Sequence, residues 1–118
     1  MNKVYDLEER TMIFAKDVRK FVKLLPRSIA NKEDVKQIVR SSGSVGANYI
    51  EANDSLSKKD FLMRIKICRK EAKESRYWLK LLDVGDVDNA STERDKLHQE
   101  STELMNIFGA IIRKSENK

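Results

Sequence analysis

Arg40 to Asn53 reads RSSGSVGANYIEAN, with three serines, two asparagines and two of the chain's four glycines. By composition it is a flexible loop. Its spacing says otherwise: Val35, Ile38, Ser42, Val45, Tyr49 and Ala52 recur at intervals of three and four, so one stripe runs unbroken through it. The stretch reads as helix, and the fold follows from that.

The same period appears on either side. Leu7, Phe14, Val18, Phe21 and Leu25 stripe a first helix, which Pro26 ends because proline disfavours helical geometry in the residue before it. Asn31 is the expected cap of the second helix, with Glu33 and Asp34 in its electropositive first turn. Asn53, Asp54 and Ser55 make a turn. Ser57 starts the third helix with Asp60 in a variant capping box, and Leu56 and Phe61 stand where a hydrophobic staple would close. Phe61, Ile65, Cys68, Ala72, Ser75, Leu79 and Leu82 follow in a four–three repeat. The run DVGDVDN, 83–89, is the next break, with Gly85 as the expected C-terminal cap. Leu97, Ser101, Leu104, Phe108 and Ile111 stripe a fourth helix.

Helices over about 6–25, 32–52, 58–84 and 90–114, joined by short links, predict one all-α domain over residues 1–118. Its architecture is an antiparallel up-down-up-down four-helix bundle with shallow crossing angles. The 36% charged and 40% apolar composition with one proline fits long amphipathic helices rather than disorder. The opening MNKVYDLEER has acids and no apolar run, so no signal peptide is expected, and no apolar window is long enough to span a membrane. Cys68 is the single cysteine, which excludes an internal disulfide and suits a reducing cytoplasm; its expected role is a small core residue.

Two faces of the second helix raise a question about partners. Val39, Gly43, Gly46, Ala47 and Ile50 form a face nearly free of side chains at its middle. Helical glycine costs ~1 kcal/mol relative to alanine, so close approach of another backbone is the expected compensation, either within the chain or across a subunit interface. The other face, Gln37, Arg40, Ser41, Ser44, Asn48 and Glu51, is polar and compact. On the third helix Ile67, Trp78 and Leu81, with Glu71 and Glu74 between them, form a second face beside the core stripe; it is a wide core stripe or a binding surface.

The chemistry of an enzyme is hard to find. His98 is the sole histidine, no Glu-x-x-His pair is present for a di-iron site, and no phosphate-cradling glycine loop or cysteine–histidine metal set occurs. No catalytic residue, cofactor or metal is expected. The bases say more. Leu56–Val84 holds nine bases and four acids, and Met1–Ala30 seven and four, against a net charge of +5 for the chain. Lys66, Arg69, Lys70, Lys73, Arg76 and Lys80 line one face of the third helix, and Lys16, Arg19, Lys20, Lys23 and Arg27 one face of the first. Such rows are either solvated outer faces or phosphate-neutralising ones, and the asymmetry suggests one basic side to the molecule.

The run RSSGSVGANYIEAN followed by SKKDFLMRIKICRKEAKES resembles the signature of bacterial four-helix bundle proteins of the intervening-sequence type, encoded within inserts in large-subunit ribosomal RNA genes and elsewhere. Arg40, Ser41, Ser44, Asn48, Glu51, Ser57, Lys59, Asp60 and Phe61 carry the match. The chain departs in having Ala52 and Asn53 where a glycine usually follows the glutamate, and KICRKEAKES where the third helix is usually small and apolar. The resemblance implies a bundle that assembles into a ring, with a homopentamer as the count. It also implies kinship to accessory proteins of diversity-generating retroelements, basic barrels that engage nucleic acid and a reverse transcriptase. The expected function is a non-enzymatic, ring-forming nucleic-acid-binding or scaffold protein, with RNA favoured over DNA. The alternative is a protein-interaction module whose basic surface only solubilises it.

Overall fold

Helix α1 (Leu7–Val22) opens with Asp6, whose carboxylate accepts from the Glu9 amide at 2.8 Å. It is followed by α2 (Ile29–Asn53), α3 (Lys58–Leu81) and α4 (Ala90–Glu116). The computed structural model describes residues 6–117, and no strand occurs among them. The stretch 40–53 is helical throughout. Each helix packs against its sequence neighbours and α1 closes onto α4, whereas α1 and α3, like α2 and α4, lie on the diagonals.

The core is the stripe that the periodicity marks. Phe14, Val18, Phe21, Leu25, Ile38, Val45, Ala52, Ile65, Cys68, Ala72, Leu79, Leu82, Leu97, Leu104 and Phe108 are all buried. In α4 the buried isoleucine is Ile112 rather than Ile111, which packs only at the edge. Serines also sit in the stripe. Ser42, Ser75 and Ser101 are buried and donate to backbone carbonyls of their own helices (Val39, Glu71 and His98), so small side chains occupy the seam without leaving a hydroxyl unpaired.

Several boundaries differ from expectation, each for a visible reason. The first helix stops at Val22, and the Leu24 and Leu25 amides bond back three residues in a tighter turn before Pro26. Ser28, not Asn31, caps α2: its hydroxyl accepts from the Asn31 amide at 3.1 Å. The helix therefore starts three residues earlier, and Glu33 and Asp34 fall beyond its first turn. Ser57 does cap α3, accepting from the Asp60 amide at 3.1 Å. The staple does not close, because Leu56 is 99% exposed. Gly85 is not the cap of α3, which ends where Leu82 turns extended with its amide on the Trp78 carbonyl. Gly85 instead takes a left-handed φ of 59°, where a Cβ would also lie 2.8 Å from Pro26 Cγ.

One polar contact holds the thinnest side of the bundle. Arg10 forms a two-pronged pair with Glu100, both prongs at 2.8 Å, and reaches Glu103 at 3.1 Å, joining α1 to α4. Those carboxylates raise the Arg10 pKa above its ordinary value, the side-chain hydrogen bond to Glu100 most of all.

Candidate nucleic-acid interface

In a helix packed on two neighbours, the residues opposite the buried stripe must face outward, and at a 3.6-residue period the lysines and arginines of α3 recur there. Lys66, Arg69, Lys70, Lys73 and Lys80 are exposed and Arg76 is half-buried. Among the described residues Lys66 is the one member of this row with a carboxylate partner, Glu116 of α4 at 3.3 Å. Arg76 donates to the Thr102 hydroxyl at 3.5 Å. The row leans toward α4. Arg69 Nε and Arg113 Nη1 lie 3.8 and 3.4 Å from where a Cβ on buried Gly109 would stand, so the missing side chain lets two guanidinium groups share the seam.

Lys16, Arg19 and Lys20 are likewise exposed on α1; Lys23, its C-cap, and Arg27, beyond Pro26, are exposed too but lie past the helix, because it ends at Val22 rather than continuing to Leu25. They do not join the α3 row. Because α1 and α3 sit on a diagonal and each row points away from the core, the two basic surfaces face opposite ways. The expectation of one basic side is therefore corrected to two basic corners, a consequence of packing order that helix-by-helix charge cannot reveal.

The polar face of α2 is turned largely toward α3. Arg40 bonds Glu71 and Glu74 through separate nitrogens, each at 2.8 Å, and Glu71 is buried. These pairs raise the Arg40 pKa above its ordinary value. The Ser41 and Ser75 hydroxyls lie 2.9 Å apart in a fully buried contact; because Ser75 gives its one proton to the Glu71 carbonyl, Ser41 is the donor between them. Arg64 donates to Asn48 Oδ1 at 3.0 Å, while Asn48 Nδ2 donates to the Ser44 carbonyl at 2.9 Å. Ser44 bonds the Arg40 carbonyl and Glu51 is exposed. Much of the serine–asparagine signature is thus an intrachain seam.

The glycine face splits in two. A Cβ on Gly46 would stand 2.9 Å from Thr11 Oγ1 and 3.2 Å from Thr11 Cβ, so this glycine serves the α1–α2 contact. Gly43 is less confined: a Cβ there would meet only an Arg19 nitrogen, at an ordinary contact distance of 3.5 Å. Around Gly43, the side chains of Met12, Ala15, Ala47 and Ile50 floor a groove of about 580 Å³ rimmed by Asp6, Glu8 and Glu9. On α3, Trp78 is half-buried against the core with its indole N–H buried and unpaired among the described residues. Beside it Tyr77, which stacks edge-on against Trp78 at 5.1 Å, and Leu81 stand 57% and 48% exposed.

Among the described residues, no three histidine, cysteine or acidic side chains converge as a metal site. Burial pushes the Cys68 thiol up to about 12. No helix of the described residues is long and apolar enough to cross a membrane.

The protein is similar to a Bacteroides thetaiotaomicron protein of the S23 ribosomal protein family whose crystal structure is known and whose function is described as unknown. The two share 28% identity over 91% of this chain and 98% of the other, with a TM-score of 0.71. No curated protein matches. The family model described as 23S rRNA-intervening sequence protein matches residues 3–110. With nearly the whole bundle inside that match, the chain belongs to the 23S rRNA-intervening sequence protein family.

Proposed function

We propose that this protein is a non-enzymatic nucleic-acid-binding scaffold that assembles as a homo-oligomeric ring, a pentamer by family resemblance, and engages RNA in preference to DNA in the cytoplasm. One observation carries the binding role. Among the described residues, five exposed bases on the outer face of α3 have a single carboxylate partner between them, so their charge is available to phosphate. Aromatic platforms are scarce there, Tyr77 being the one ring in the row, so contacts go to the backbone and sequence preference is weak.

Ring assembly would use two surfaces the bundle leaves uncovered. The concave one is the α1–α2 groove around Gly43 and Ile50; the convex one is the Tyr77–Leu81 ridge on α3. Because they differ, a contact between them is head-to-tail, and repeated contacts of that kind close into a ring when the rotation permits. Each added copy multiplies the basic corners.

Fluorescence anisotropy with single-stranded RNA tests the binding role. The native protein binds, and Lys66→Glu, Lys70→Glu and Lys73→Glu together lower affinity about equally for all sequences while thermal stability hardly moves. Failure to bind at ~50 mM salt with the oligomer intact would favour the protein-interaction alternative. Sedimentation of the native protein as a monomer at micromolar concentration would remove the ring.

A further inference from the structure

The seam between α3 and α4 holds a notch of about 260 Å³ lined by Lys80, Arg94, Asp95 and His98, with Arg76 beside it. Both arginines are held by neutral groups. Arg76 donates to the Thr102 hydroxyl at 3.5 Å and Arg94 to the Leu82 carbonyl at 3.4 Å, while Thr102 Oγ1 in turn donates to the His98 carbonyl at 3.1 Å. The acid within the notch is Asp95, which reaches Arg94 only at 3.9 Å and is itself 76% exposed. Three basic side chains and one solvated carboxylate leave the notch with an excess of positive charge.

We propose that this notch is a phosphate-binding site, in which Arg76, Lys80 and Arg94 grip the phosphate oxygens and His98 donates a further hydrogen bond. A guanidinium offers a planar fork that matches phosphate oxygens, and neither arginine here is engaged in a two-pronged carboxylate pair. His98, half-buried, is part of the notch lining. Its pKa lies below the ordinary 6.5 because of burial first and the positive charges of Arg76 and Lys80 from α3 next, with Arg94 adding to them and Asp95 opposing. An anion lying among these cations offsets their repulsion and itself favours the protonated imidazole, so the His98 pKa should rise when phosphate binds. The source of the phosphate rests on the nucleic-acid role proposed above: a nucleic-acid backbone if that role holds, free inorganic phosphate otherwise.

His98 is the sole histidine, so its ring proton gives one resolved NMR signal whose midpoint can be followed against pH. In the free protein the midpoint is expected below 6.5, because burial and the neighbouring cations disfavour the charged ring. Saturating single-stranded RNA is expected to raise it by roughly one pH unit, the direction an anion within ~4–6 Å imposes. Lys80→Gln, at an exposed site, should blunt that shift and weaken RNA binding severalfold. Lys80→Gln with Arg94→Gln should abolish the shift, while Lys36→Gln, exposed on α2 and outside both basic rows, should leave it intact. RNA that binds without moving the His98 midpoint would overturn the notch and leave the nucleic-acid role standing. A midpoint raised by inorganic phosphate in a protein that binds no RNA would keep the notch and defeat that role. No movement with either probe overturns the notch.

Discussion

Asn31, in the first turn of α2, donates from Nδ2 to the Asp83 carbonyl at 2.8 Å and accepts the Asp83 amide on Oδ1 at 3.0 Å. The same Nδ2 donates to the Pro26 carbonyl at 2.9 Å, so one buried amide joins the α1–α2 and α3–α4 connections. Asn31→Asp removes the donor and sets a carboxylate against two carbonyls. Unpaired buried polar groups cost ~1–3 kcal/mol each, so a loss of about 3 kcal/mol in denaturant unfolding is expected. A loss below ~0.5 kcal/mol would show that solvent replaces these bonds.

The Arg40–Glu71 pair makes a different demand, because Glu71 is buried while the Arg40 side chain is 51% exposed. Arg40→Met strands the carboxylate. Solvent reaches the arginine end, so the cost should be about 1–2 kcal/mol rather than the ~3–5 kcal/mol of a fully buried pair. Adding Glu71→Gln should recover part of it, and a double-mutant cycle reads the coupling; additive losses would mean the two side chains act independently.

The two glycines of α2 should respond in opposite directions. Gly43→Ala meets only an ordinary contact with the flexible end of Arg19 at 3.5 Å and gains helix propensity, which should stabilise the fold by about 0.5–1 kcal/mol. Gly46→Ala drives a methyl into Thr11 and should destabilise it despite the same propensity gain. Equal thermal shifts for the pair would contradict the α1–α2 packing described.

Cys68 is fully buried, with its thiol pushed up to about 12, so hardly any thiolate forms at neutral pH. Reaction with a thiol reagent should be slow in the native protein and keep pace with unfolding as denaturant is added. Rapid labelling of the native state would indicate that the α3 core opens.

Periodicity made the bundle legible, since a helical stripe persists through RSSGSVGANYIEAN whatever its composition. What stayed hidden depends on the path of the chain. Asn31 and Ser28 are both good caps, and what commits Asn31 elsewhere is Asp83, 52 residues away. Leu56 and Phe61 have the spacing of a staple, but closure depends on how the turn enters α3. Each basic row could be read from its own helix. Their opposition could not, because it is set by which helices become neighbours. Arg113 and Arg94 were missed for the same reason: they matter only once α4 lies beside α3.

The central claim is that the outer face of α3 neutralises phosphate, and the salt dependence of RNA affinity measures that most directly. Each phosphate contact on a single strand contributes about −0.7 to the slope of log K against log salt. Between ~50 and ~200 mM salt the native protein should give a steep negative slope, and Lys66→Glu, Lys70→Glu and Lys73→Glu together should make it shallower by about 2. A slope that is flat in the native protein, or unchanged in the triple variant, would contradict the account.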